Sequence, residues 1–102
     1  MISVAIAGMT VPIEKASEAW INQMFEEARR MGVALCVQVN VQVPSANVAL
    51  ATPGCGSGGG GGRAPNQTEQ RILDAWGRRG LGQGSLHPGE LRGFLNDLSR
   101  II

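Results

Sequence analysis

Residues 33–43 read VALCVQVNVQV, and in this stretch large apolar residues alternate with small or polar ones. Side chains of a strand point alternately to the two faces of a sheet. The stretch therefore predicts one long strand with an apolar face and a second face that becomes polar. Its apolar positions are Val33, Leu35, Val37, Val39, Val41 and Val43.

The segments on either side extend this strand into a small sheet. Pro44 to Asn47 has the residues of a turn, and Val48 to Thr52 is expected to return as a shorter antiparallel strand. Ile2 to Ile6 repeats the alternation, and Glu14 to Met31 has the pattern of an amphipathic helix. We expect a β-α-β-β unit whose helix covers the apolar face, with a right-handed crossover if the first and the long strand share a sheet.

The opposite face of this sheet carries only short or polar side chains. One interpretation is the solvated face of a two-layer fold. The other is a flat surface that lets another backbone approach closely, either from the C-terminal helices or from a second subunit. The residues concerned are Ser3, Ala5, Ala7, Gln38, Asn40, Gln42, Ala49 and Ala51.

A run of glycines follows the unit that residues 1–53 form. Residues 54–62 read GCGSGGGGG, and residues 54–65 are interpreted as a flexible linker, because polyglycine restricts the backbone little. A phosphate-binding loop is disfavoured, because Arg63-Ala64-Pro65 stands where such a loop has lysine followed by serine or threonine.

After the linker the apolar spacing changes to that of helices. Asn66 and Glu69 have the spacing of a capping box that opens a helix over Thr68–Arg79, and His87 followed by Pro88 marks the start of another helix. Residues 66–102 therefore predict a two-helix hairpin. Fewer than about 40 residues rarely bury a sufficient core alone. The hairpin is thus expected to pack on the sheet or on a second copy through Ile72, Leu73, Trp76, Leu91, Phe94, Leu95 and Leu98.

The whole chain is accordingly predicted to be an α+β protein, a small α/β sandwich of 102 residues. Its net charge of +1 argues against a general polyanion-binding surface. Only Lys15 among the basic residues is lysine, a bias that indicates a GC-rich, bacterial coding sequence. Tyrosine is absent, which leaves little for a base-stacking platform.

Cysteine and histidine usage predicts neither a disulfide framework nor a metal site. Cys36, Cys55 and His87 are far apart and lack paired spacing. No segment has the composition of a secretory signal or a membrane span. These features predict a reduced, cytoplasmic protein without a cofactor.

The function predicted from these features is non-enzymatic: a protein-protein interaction or assembly module of a larger bacterial system, self-associating into a homo-oligomer. An apolar hairpin on a flexible tether can exchange between copies, which is a simple route to dimers. The candidate interface residues are Trp76, Leu91, Phe94, Leu95, Arg78 and Arg79.

Two alternatives come from other classes of protein. A nucleic-acid-binding accessory protein would use Arg63, Arg78 and Arg79 to contact phosphates. A small enzyme would use Cys55 as a nucleophile, with His87 as its base.

Overall fold

The computed structural model describes residues 1–55, 64–84 and 86–102. Within them, four strands form one antiparallel sheet with the order β2-β1-β3-β4. The strands are β1 (Ile2–Ile6), β2 (Met9–Pro12), β3 (Val37–Val43) and β4 (Ala46–Ala51). The α-helices are α1 (Glu18–Met31), α2 (Gln67–Arg78) and α3 (Pro88–Ile101). The predicted α+β class is confirmed.

One strand of the sheet carries little signal in the sequence. β2 pairs with β1 through a two-residue turn at Ala7 and Gly8, whose φ angles are +51° and +87°. The unit is therefore β-β-α-β-β, in which β2 adds one strand to the predicted β-α-β-β order. The predicted right-handed crossover is wrong, because β2 reverses the chain before α1, and β1 and β3 run antiparallel.

Two predicted boundaries move by four residues, the start of α1 and the start of β3. α1 begins at Glu18, since the Ser17 hydroxyl accepts a hydrogen bond from the Trp20 N–H at 3.1 Å. The preceding Ile13–Lys15 segment is a single 3-10 turn. α1 ends before Gly32, as predicted, and Gly32 has a φ of +68°. β3 begins at Val37, so Val33 to Cys36 form a connection instead of strand.

The three helices cover one face of the sheet, and this face makes the core. The central inward side chains of β1 and β3 lose all solvent exposure and pack with α1, α2 and α3 in one cluster, while Ile2 and Val43 at the strand ends are half-buried. Asn40, Gln42 and Ala49 on the opposite face are exposed. The other five residues of this face are half-buried, so the face is partly open to solvent, and both of its interpretations stay predictions.

The helical hairpin packs on the sheet of its own chain. α2 contacts β4, and α3 lies between α1 and α2. Trp76 meets Phe94 edge to face, with ring centroids 5.1 Å apart. The division into residues 1–53, a linker at 54–65 and a hairpin at 66–102 stays a prediction, and residues 56–63 of that linker lie outside the described residues.

Cys36 and Cys55 form a disulfide, so the prediction that both are reduced is wrong. Cys36 directly precedes β3, and Cys55 ends a 3-10 turn that follows β4. Val37 donates its N–H to the Thr52 hydroxyl at 3.1 Å and accepts the Thr52 N–H at 3.0 Å. The covalent bond therefore closes the open end of the β3-β4 hairpin, and the two cysteines come together only because of that register.

Reduction of this disulfide is expected to lower the free energy of unfolding by about 3 kcal/mol, because in the unfolded chain the bond joins two positions with a sequence separation of 19. Urea unfolding with and without dithiothreitol measures the difference. A Cys36→Ser/Cys55→Ser variant is the matched control and should unfold like the reduced protein. Equal stability of the oxidised and reduced proteins would contradict the prediction.

Candidate interaction site at the outer edge of β4

β4 is an edge strand, and its backbone groups alternate between β3 and the outside. Thr52, just beyond its end, donates its N–H inward to Val37 O. Asn47 donates its N–H outward, to Glu69 Oε2 at 2.8 Å. Because backbone directions alternate along a strand, Asn47, Ala49 and Ala51 all present their N–H and C=O groups away from β3.

Glu69 satisfies the first of these outward N–H groups. Its carboxylate is buried, with 2% of the residue exposed. Oε1 accepts the Asn66 N–H at 2.9 Å, which completes the predicted capping box of α2. The Asn66 side-chain amide in turn donates to Ser45 O at 3.1 Å. The start of α2 is thereby attached to the start of β4, a second role for Glu69 that its position in the sequence does not reveal.

The outward groups of Ala49 and Ala51 are the unpaired part of this edge. Within the described residues, their outward N–H groups make no hydrogen bond. β4 reads ANVALA, without charge or proline, and its register with β3 is continuous. Exposed edge strands of natural sheets are usually protected by a charged side chain, a proline or a bulge, and β4 has none of these.

The opposite edge of the sheet is protected in two of the usual ways. β2 has only four residues, and it ends at Pro12. The turn at residues 7 and 8 makes Ile6 and Met9 the first hydrogen-bonded pair, so Thr10 and Pro12 direct their backbone nitrogens outward. Pro12 has no N–H to offer a further strand. β4 is therefore the edge that can accept one.

A groove of about 500 Å³ runs beside the open part of β4. Leu73 of α2 is half-buried in it, and Trp76 forms its deeper wall. Two amides of the open sheet face, Gln38 and Asn40, border it on the other side. A strand placed against Ala49 and Ala51 would bring its own side chains over this apolar surface.

The predicted interface residues of the hairpin lie in the core of the same chain. Leu91, Phe94 and Leu95 are buried, and Trp76 is 6% exposed. Of these four, Trp76 alone lines the groove beside β4. The prediction that these side chains contact a partner stays a prediction, and it requires the hairpin to exchange between copies.

Arg79 is held inside an ion-pair network between α2 and α3. It donates to Asp97 at 2.9 Å and to Glu90 at 3.3 Å. Its guanidinium lies against Gly93, where even a Cβ atom would overlap it. The hydrogen bond to Arg79 lowers the pKa of Asp97, and the bond to Asp97 raises the pKa of Arg79. The charge of Arg79 is thus neutralised internally.

Two of the three candidate cations, Arg78 and Arg79, line the same cleft. Arg78 is exposed, and this cleft of about 430 Å³ also contains Arg100 and the carboxylates of Glu90 and Asp97. Arg63 lies outside the described residues.

Among the described residues, no hydrogen bond joins Cys55 and His87, the two residues proposed for cysteine chemistry. The sulfur of Cys55 is bonded to Cys36 and lies 3.6 Å from both Val37 O and Thr52 Oγ1. His87 is exposed at the start of α3, where its side chain makes no capping hydrogen bond. A disulfide sulfur has no thiolate to act as a nucleophile.

In residues 1–55, 64–84 and 86–102, no group of three or more His, Cys, Asp or Glu residues is placed to hold a metal ion. None of the helices in the same ranges combines the length and apolar content that crossing a bilayer requires.

Comparison with protein-family models, with curated proteins and with solved structures finds no match for this chain.

Replacing Glu69 with alanine is expected to lower the free energy of unfolding by about 3 kcal/mol, because two part-buried N–H groups lose their charged acceptor. Asn66→Ala should cost about 1 kcal/mol, as typical for a lost cap. Glu26→Ala, an exposed change on α1, is the control. Urea unfolding measures all three, and a Glu69→Ala protein as stable as this control would contradict the assignment.

The Arg79–Asp97 pair is expected to make stability depend on acidic pH. Since the folded pKa of Asp97 is lowered, its contribution is present above the unfolded value of about 3.9 and is lost as the pH falls through the folded pKa. The difference in unfolding free energy between wild type and Asp97→Asn should therefore shrink below about pH 4. In an Arg79→Gln background this pH dependence should be reduced, because the main cause of the lowered pKa is removed, and an unchanged pH dependence would contradict the assignment.

Proposed function

We propose that this protein is a non-enzymatic interaction module that binds its protein partner by pairing a strand with the outer edge of β4. The observation that carries the proposal is the pair of outward, unbonded N–H groups at Ala49 and Ala51 on a strand without charge. Strand addition to a sheet edge takes its affinity from main-chain hydrogen bonds and its specificity from adjacent side-chain pockets.

The groove beside β4 supports this type of binding. A bound strand would direct alternate side chains toward the helix layer, where Leu73 and Trp76 offer apolar contact. Each main-chain hydrogen bond contributes about 0.5–1.5 kcal/mol once exchange with water is counted. A short paired stretch therefore depends on this groove for part of its affinity.

The alternatives have less support in the geometry. Nucleic-acid binding through Arg63, Arg78 and Arg79 loses one of its three cations to the network with Asp97 and Glu90. Catalysis at Cys55 would need the disulfide to be reduced and a base brought to it. The cytoplasmic location stays a prediction, and the disulfide argues against it, because thiols are kept reduced in the cytosol.

Ala49→Pro is expected to abolish strand binding, because it removes one outward N–H and places a ring on the edge. The probe is a library of random extended peptides, from which those that bind the wild-type protein at low protein concentration are selected. Wild type should enrich peptides with alternating β-branched residues, and Ala49→Pro should bind them at least roughly tenfold more weakly.

Thr10→Pro is the matched control, because it removes an outward N–H from the other edge of the same sheet. It should bind the selected peptides like wild type. Circular dichroism of both variants verifies the fold, and Ala49→Lys repeats the test if the proline variant unfolds. Peptides that bind wild type, Ala49→Pro and Ala49→Lys equally would refute the proposal.

A further inference from the structure

The open stretch of β4 is short, and its limits are set by neighbouring residues. On one side, the Asn47 N–H is already donated to Glu69. On the other side, the strand ends at Ala51, and Pro53, the next outward position, has no N–H. The available stretch is Ala49-Leu50-Ala51, with Leu50 at its centre.

We infer that the strand which pairs with this edge is β4 of a second copy of the chain, antiparallel, with Ala49 of each copy opposite Ala51 of the other. The inference rests on the proposed function and names its partner. A two-fold axis through the centre of the stretch generates this arrangement, because it relates Leu50 to Leu50 of the second copy and exchanges the two alanines.

The register follows from the hydrogen-bond inventory. With Ala49 opposite Ala51 of the second copy, the outward N–H and C=O groups of both alanines in both copies are paired. The Asn47 N–H keeps its bond to Glu69. With Ala49 opposite Ala49, the Ala51 C=O would instead face the Asn47 N–H, which is already donated. The first register is therefore favoured.

The chemistry of the edge suits an identical partner. Asn47 to Ala51 contains no charged side chain, so a two-fold axis here brings no like charges together. A two-fold axis perpendicular to the sheet also keeps the helices of both copies on one side. The Leu50 side chains then become a close, non-hydrogen-bonded pair facing Leu73 and Trp76 of both helix layers.

The result would be one continuous sheet in which the four strands of one copy continue into those of the second. The contact consists of two short strands and the groove beside them, and the surface that it buries is small for a permanent interface. We therefore expect a dimer whose population depends on concentration.

Sedimentation at several concentrations and site-directed cross-linking test the inference with the full chain. The mean mass of wild type and Thr10→Pro should rise toward that of a dimer, and Ala49→Pro should need at least roughly a tenfold higher concentration for the same mass. A mass that stays monomeric, or that rises equally for Ala49→Pro, overturns the inference.

Cross-linking tests the register. Opposite hydrogen-bonded residues have Cα atoms about 5.5 Å apart, which suits a disulfide. Ala49→Cys mixed with Ala51→Cys should give a cross-linked heterodimer under mild oxidation, and peptide mapping should locate the bond between positions 49 and 51. Efficient cross-linking of Ala49→Cys with itself, or cross-links that only involve Cys36 or Cys55, would overturn the assignment.

The outcomes separate this inference from the function on which it rests. A strictly monomeric protein that still selects peptides in a manner sensitive to Ala49→Pro would leave the interaction module standing and exclude the second copy as its partner. A protein that neither self-associates nor selects peptides would contradict both the second copy as partner and the proposed interaction module.

Discussion

The buried carboxylate of Glu69 joins the two halves of this protein. Its two oxygens accept N–H groups from the first turn of α2 and from the edge of β4, so one side chain fixes where the helical hairpin begins relative to the sheet. A buried carboxylate is costly unless hydrogen bonds compensate its lost hydration. The same interaction also limits how much of the β4 edge stays open, because it occupies the Asn47 N–H.

The elements with strong local signals could be predicted from sequence. The alternation of valines identifies β3, and the cap residues identify the starts of α2 and α3. β2 could not be predicted, because four residues ending in proline carry almost no periodicity. The disulfide could not be predicted either, because the two cysteines meet only when Val37 lies opposite Thr52.

The candidate site was hidden for a different reason. The sequence suggests the large apolar and cationic residues of the hairpin as the interface. In the folded chain, however, Leu91, Phe94 and Leu95 are buried in the core, and Arg79 forms an ion pair with Asp97. The groups that stay available for a partner are the outward N–H and C=O groups of Ala49 and Ala51. The identity of an alanine says nothing about its hydrogen bonds, so only the strand order and the direction of each N–H reveal such an edge.

Substitutions at Gly93 affect Arg79, because the two residues are in contact. Alanine normally stabilises a helix relative to glycine by about 1 kcal/mol. At position 93 the added methyl group would displace the guanidinium of Arg79 from between Glu90 and Asp97. A residue larger than glycine at position 93 is therefore expected to move the end of the flexible Arg79 side chain, so that weakened ion pairs with Glu90 and Asp97 offset the gain in helix propensity.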